Sequence, residues 1–112
     1  MAQLHRLLIA LALTMVSITS AAQAIDNAFV IDTRSLAEYE AGHLEGAVLI
    51  PYDAIEARIF NLTQDKEATI YLYCRSGGRA EIARKRLQHR GFTKVTNLGG
   101  LEDARMFLAG EE

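Results

Sequence analysis

The chain is predicted to fold as a single α/β domain, a small parallel sheet with helices on both faces. Three observations predict it. Short apolar runs of strand length alternate with segments whose apolar residues recur at helical spacing. The connections between them are brief, so each helix must return the chain to a neighbouring parallel strand. Two chemically able side chains, Asp32 and Cys74, sit at the ends of such runs. Ligands of open α/β sheets bind along the edge formed by the carboxyl ends of strands.

Each element can be justified in turn. Phe29-Val30-Ile31-Asp32 reads as a buried parallel strand that ends in a carboxylate. Ser35 and Glu38 have capping-box spacing and open a short helix that Gly42 should stop. Ala47 to Ile50 is a second strand-like run, closed by Pro51. Asp53 and Glu56 repeat the capping signal ahead of a helix that places Ile55, Ile59 and Leu62 on one face. The polar segment Thr63 to Glu67 is a loop, and Thr69 to Tyr73, rich in β-formers, is the central strand. From Arg79 to Arg90 a helix packs through Ala80, Ala83 and Leu87, with Glu81 and Lys85 spaced as an i,i+4 pair and Gly91 ending it. Lys94 to Leu98 forms the last strand. Gly99-Gly100 then turns into a final helix with Leu101, Ala104 and Leu108 inward, and its first-turn acids Glu102 and Asp103 suit the helix dipole.

Composition narrows the function. The chain has 112 residues, half of them hydrophobic, so it can hold one core. A formal charge of −2 gives no bulk attraction for nucleic acid or an anionic membrane. One cysteine excludes an internal disulfide and a cysteine-based zinc cluster, and His5, His43 and His89 share no ligand spacing, so no metal is expected. No cofactor is called for.

The N-terminus reads as an export signal. His5 and Arg6 precede a run from Leu7 to Ile18 of about a dozen apolar residues, shorter than the ~20 that span a bilayer. Ala22-Gln23-Ala24 is a small-x-small cleavage site. Residues 1–24 are therefore expected to be a cleaved signal peptide, and residues 25–112 the domain. The predicted location is the periplasm, where an unpaired cysteine calls for a chemical explanation.

That cysteine lies in Cys74-Arg75-Ser76-Gly77-Gly78-Arg79, where a strand ends and a helix begins. Backbone N–H groups converge in such a turn, and the helix dipole adds partial positive charge. Arg75 and Arg79 add full charges, and Gly77 and Gly78 let the loop curl around the sulfur. All of this favours the thiolate, which is the nucleophile. A buried structural cysteine is the alternative, but Arg-Ser-Gly-Gly-Arg is a poor wall for an apolar pocket.

Several segments together resemble the rhodanese family of sulfurtransferases, most of all its short periplasmic members. Asp32-Thr33-Arg34, Glu38-Tyr39, Gly42-His43-Leu44-Glu45-Gly46-Ala47 and Ile50-Pro51 are similar to that family's first signature. Cys74 to Arg79 resembles its active loop, and Gly91-Phe92, Val95, Asn97-Leu98 and Gly99-Gly100 its closing signature. The resemblance implies a rhodanese-like fold and a thiosulfate:cyanide sulfurtransferase. Cys74 would be the nucleophile and pass through a persulfide. The N–H groups of Arg75, Ser76, Gly77, Gly78 and Arg79 would cradle it, and the two arginines would orient the dianionic donor. Cyanide or a thiol would accept the sulfur, from a monomer with no nucleic-acid or membrane partner. Asp32, Arg34, Glu38 and His43 read mainly as structure, and Tyr71 and Tyr73 as packing.

Two other readings use the same cysteine. A non-catalytic sulfur-carrier or thiol-sensing domain would accept sulfur without fast turnover. Cysteine phosphatases and arsenate reductases hold their oxyanion in a loop one residue longer than the four that separate Cys74 from Arg79. The tighter ring suits one sulfur atom better than a tetrahedral phosphate.

Overall fold

The computed structural model describes residues 28–110, and the expected signal peptide lies outside them. In chain order the elements are β1 (Ala28–Asp32), α1 (Leu36–Ala41), β2 (Val48–Leu49), a 3₁₀ turn (Tyr52–Ala54), α2 (Ile55–Leu62), β3 (Thr69–Cys74), α3 (Gly78–His89), β4 (Val95–Gly100) and α4 (Leu101–Leu108). The four strands form one parallel sheet in the order β2-β1-β3-β4. The chain starts at β1, steps outward to β2, then crosses back past β1 to β3. With right-handed crossovers, that reversal places α1 on the face opposite α2 and α3.

Strand residues alternate between the two faces with a period of two. Ile31, Ile70, Leu72, Cys74 and Val95 meet Ile55 and Ile59 of α2 and Ala80, Ala83 and Leu87 of α3. Val30 and Tyr73 face the other way, toward Leu44, Ala47 and Ala104, with Tyr71, Leu98, Leu101 and Leu108 packed alongside. The first core is the larger, and it anchors the elements that meet at Cys74.

Ser35 caps α1 as expected, with the Glu38 N–H donating to Ser35 Oγ and the Ser35 N–H to Glu38 Oε1, each at 3.2 Å. Four local expectations fail. Asp53 does not cap α2, whose entry is a 3₁₀ turn fixed by backbone bonds from Tyr52 N–H to the Thr33 carbonyl and from Ala54 N–H to the Pro51 carbonyl. β2 pairs over two residues only, because Pro51 has no N–H and the Ala47 N–H is already bonded to the Leu44 carbonyl. Glu81 pairs with Arg84, one turn on, and not with Lys85, because the guanidinium fork reaches both carboxylate oxygens. β4 runs through Gly99 and Gly100 instead of stopping at Leu98, accommodated by an irregularity between Leu72 and Cys74.

Candidate active site

The site begins with how β3 ends. Tyr73 and Cys74 are its last residues, and both are buried. Beyond them the chain reverses through Gly77, whose φ of +103° is a left-handed conformation that residues with a Cβ avoid. It then enters the twelve-residue helix α3. The Cys74 side chain sits at the floor of this turn, 1% exposed.

Burial alone pushes a thiol up, since the charged form loses water. Here that effect is outweighed by backbone hydrogen bonds to the sulfur from Ala80, Ser76, Gly77 and Arg79, which bring Cys74 below the ordinary thiol range. The Gly77 N–H lies 2.9 Å from Sγ. Of the five N–H groups expected in the cradle, those of Ser76, Gly77 and Arg79 bond the sulfur, those of Arg75 and Gly78 are not among its partners, and the Ala80 N–H, just past the expected loop, joins it. The N-terminus of α3 contributes its dipole in the same direction.

The sequence-predicted arginines part company. Arg75 is exposed beside the loop, as is Ser76. Arg79 turns to α1, where Nη1 and Nη2 donate to Glu38 Oε1 and Oε2 at 2.7 and 2.9 Å. This pair holds Glu38 far below the usual carboxylate range, at about 2, chiefly through the hydrogen bond from Arg79. It also raises Arg79, which interacts electrostatically with Cys74.

Asp32 and Cys74 lie at the same strand edge, but Asp32 is spoken for. Its carboxylate accepts from the Arg34 N–H at 2.9 Å and from Nε and Nη2, and Arg34 Nη2 also donates to the Gly42 carbonyl at 2.7 Å. His43 Nδ1 bonds to the Tyr39 carbonyl at 2.8 Å, and the two rings stack 3.6 Å apart, so His43 braces a loop. Tyr73 holds the same region together. Its hydroxyl accepts from the Leu44 N–H at 3.1 Å, and burial pushes its pKa up to about 12. It is more than packing.

Three supports escaped the sequence reading. Thr33, fully buried, donates through both its N–H and its hydroxyl to the Tyr73 carbonyl, each at 2.9 Å. Asn97 on β4 donates to the Gly77 carbonyl at 2.9 Å and accepts from the Gly99 N–H at 2.9 Å, which ties the back of the Cys74 loop to the next strand. Gly100 is in close contact with that loop: a Cβ there would lie 2.5 Å from the Arg75 carbonyl oxygen. The Gly-Gly pair after a strand was the available signal, since such a pair marks close backbone approach as well as a turn.

Between the loop after β1, the 3₁₀ turn and Arg79 lies a cleft of about 320 Å³, walled by Thr33, Arg34, Ser35, Leu36, Pro51, Tyr52 and Asp53. Among the described residues no cluster of His, Cys, Asp or Glu could hold a metal, and no helix is long and apolar enough to cross a membrane. The arrangement can stabilise a thiolate, or any single anionic sulfur, with main-chain dipoles.

A model of the rhodanese-like domain matches residues 17–105. The thiosulfate sulfurtransferase PspE of Escherichia coli is 37% identical over 76 residues, covering 68% of this chain and 73% of the relative. The putative sulfur carrier protein YrkF of Bacillus subtilis is 39% identical over 69 residues, 62% of this chain, and this chain spans 36% of that protein's length. Among solved structures, a rhodanese with anions from E. coli superposes with a TM-score of 0.66 at 36% identity, covering 68% of this chain and 89% of that one.

Proposed function

The chain belongs to the rhodanese-like sulfurtransferase family, and from that premise we propose that it is a thiosulfate sulfurtransferase working through a Cys74 persulfide. The Cys74 thiolate attacks the outer sulfur of thiosulfate. The S–S bond of the donor breaks, its electron pair leaves with sulfite, and Cys74 keeps the outer sulfur as a persulfide anion. In the second half-reaction cyanide or a thiolate attacks that sulfur. The product is thiocyanate or a new persulfide, and the Cys74 thiolate returns. Two half-reactions sharing one covalent intermediate give ping-pong kinetics.

The observation that carries this reading is the ring of backbone N–H groups around the Cys74 sulfur, with Gly77 at 2.9 Å. It stabilises the attacking thiolate, the persulfide and the departing thiolate alike, without any side chain that must change its charge. The test is intact-mass measurement after incubation with thiosulfate. One added sulfur, removed by cyanide and absent in Cys74→Ser, is the expected result. No mass gain would overturn the assignment.

A sulfur-carrier role is the second reading, favoured by the relative named as a putative sulfur carrier. It predicts the same mass gain with negligible steady-state turnover of thiosulfate and cyanide, and the turnover assay separates the two. We also propose that the protein acts in the periplasm as a monomer after cleavage following Ala24, on the strength of the small-x-small site. N-terminal sequencing of the exported protein should begin at Ile25, and an intact Met1 would overturn it.

A further inference from the structure

The Arg79–Glu38 contact has a geometry that a stabilising surface pair does not need. Both guanidinium nitrogens of the fork are used, one on each carboxylate oxygen, at 2.7 and 2.9 Å. That two-pronged face is the one arginine uses to grip a sulfate or phosphate. Glu38 thus occupies the position that a tetrahedral oxyanion would need on Arg79. The carboxylate is not free to swing aside either. Its Oε1 also accepts from the Ser35 N–H at 3.2 Å and the Ser35 hydroxyl at 3.0 Å, so the capping box of α1 pins it. Side chains in the pair are 32% and 27% exposed, and Arg79 lies at the wall of the cleft, within reach of solutes.

This arrangement is a poor one for gripping a dianion by its oxyanion head, which leaves the outer sulfur as the part of thiosulfate that the loop can hold. A carboxylate placed beside the arginine at the end of the Cys74 loop cancels its charge and blocks its fork. It suits a site that must handle one sulfur atom and then let a tetrahedral product go. Attack on thiosulfate leaves sulfite next to the loop, and sulfate and phosphate carry similar charge and donor demand. With Arg79 engaged, the loop offers those anions main-chain dipoles sized for a single sulfur.

We propose that Glu38 is a specificity-determining residue, acting through Arg79: it withholds the guanidinium fork from tetrahedral oxyanion heads, so that the Cys74 loop holds a ligand through a transferable sulfur, such as the outer sulfur of thiosulfate, rejects sulfate and phosphate, and releases sulfite readily. The proposal deepens the sulfurtransferase reading of the same site and rests on it for its biological sense. Its test does not depend on sulfur transfer.

Glu38→Gln separates the two roles of the residue. Glutamine keeps the capping box, which accepts Glu or Gln at this position, and removes the charge that holds Arg79. The assay is protection of Cys74 from iodoacetamide by inorganic sulfate, at fixed pH and with ionic strength held constant by chloride. Each rate is taken relative to the sulfate-free rate of the same variant, so a change in thiol reactivity cancels. The half-protecting sulfate concentration should fall about fivefold in Glu38→Gln, the scale of one partly exposed ion pair. It should return to the wild-type value in the Glu38→Gln/Arg79→Gln double variant, because no fork remains to be freed. In turnover assays the single variant should show stronger product inhibition by sulfite.

A purely structural Glu38 would leave sulfate protection unchanged or weaken it through disorder, and either result overturns the proposal. Tightened protection that persists in the double variant also overturns it, since Arg79 would then not be the mediator. Should Glu38→Gln not fold, Glu38→Asp keeps the charge and the cap but is one methylene too short for both oxygens to reach the fork. It should shift protection in the same direction by less, and no shift would count against the proposal. Failure of the sulfurtransferase reading would show instead as an absent mass gain with thiosulfate, while sulfate protection was still measurable.

Discussion

Two loops meet at the carboxyl edge of the sheet, and they handle charge in opposite ways. The loop after β1 neutralises charge with charge. Asp32 and Arg34 are buried against each other, with side chains 0% and 8% exposed, and little is left over for a ligand. The loop after β3 neutralises charge with dipoles, placing backbone N–H groups of Ala80, Ser76, Gly77 and Arg79 on one sulfur. A side-chain pair is complete and inert. A ring of N–H groups remains able to receive whatever anion the sulfur becomes, thiolate or persulfide. The first loop is therefore expected to fail through stability and the second through activity.

The largest effect expected on this contrast is Cys74→Ser. Sulfur transfer should fall by more than about a thousandfold, as for loss of any nucleophile. The circular dichroism spectrum and melting temperature should stay close to wild type, because serine is nearly the same size. A variant that lost activity only by unfolding would erase the distinction between the loops.

Arg34→Leu is the counterpart on the other side. It leaves the Asp32 carboxylate buried without its partner and should cost about 3–5 kcal/mol in urea unfolding. The Asp32→Leu/Arg34→Leu double variant should recover much of that loss, since two apolar residues leave no orphaned charge. A loss below about 1 kcal/mol in the single variant would mean the pair is not the buried unit its geometry indicates.

Gly100→Ala should act on both readouts. Its new Cβ would press on the Arg75 carbonyl, for which the gap is 2.5 Å. Overpacking of this kind costs about 1–3 kcal/mol. Displacing the N–H ring should also raise the midpoint of Cys74 alkylation toward the ordinary thiol range and slow persulfide formation. Asn97→Ala is a milder version. It deletes the hydrogen bond to the Gly77 carbonyl and should cost about 1 kcal/mol, with a smaller fall in rate.

The smallest effect concerns pH. Glu38 is depressed from 4.5 to about 2 in the folded protein, because Arg79 and then Ser35 favour its charged form. Its contribution is fully present above pH about 4.5 and fades as pH falls through about 2. Solvent screening of the partly exposed pair keeps it under about 1 kcal/mol. Comparing acid unfolding of wild type with Glu38→Gln should show the two converging at low pH, and parallel curves would remove Glu38 from the account.

Much of this was legible in the residues themselves. Apolar runs of strand length, the Ser35–Glu38 cap, the β-forming stretch into Cys74 and the Gly-Gly after Leu98 are local patterns, and local physics determines them: side-chain periodicity, capping and left-handed turns. The candidate nucleophile was legible for the same reason, since the Cys74-to-Arg79 turn is built from consecutive residues. Local patterns misled where two partners competed for one group, as when Arg84 took Glu81 from Lys85 and the Pro51 turn displaced Asp53 as a cap. What only the tertiary structure decided lies between segments far apart in the chain. Arg79 reaches Glu38 across 41 positions, Asn97 reaches Gly77 across 20, and Gly100 sets its backbone against Arg75. A charge beside a cysteine reads as a substrate-binding group until the fold supplies its partner, because whether an arginine is free or already paired depends on which strands are neighbours, and sheet order is not a local property of the chain.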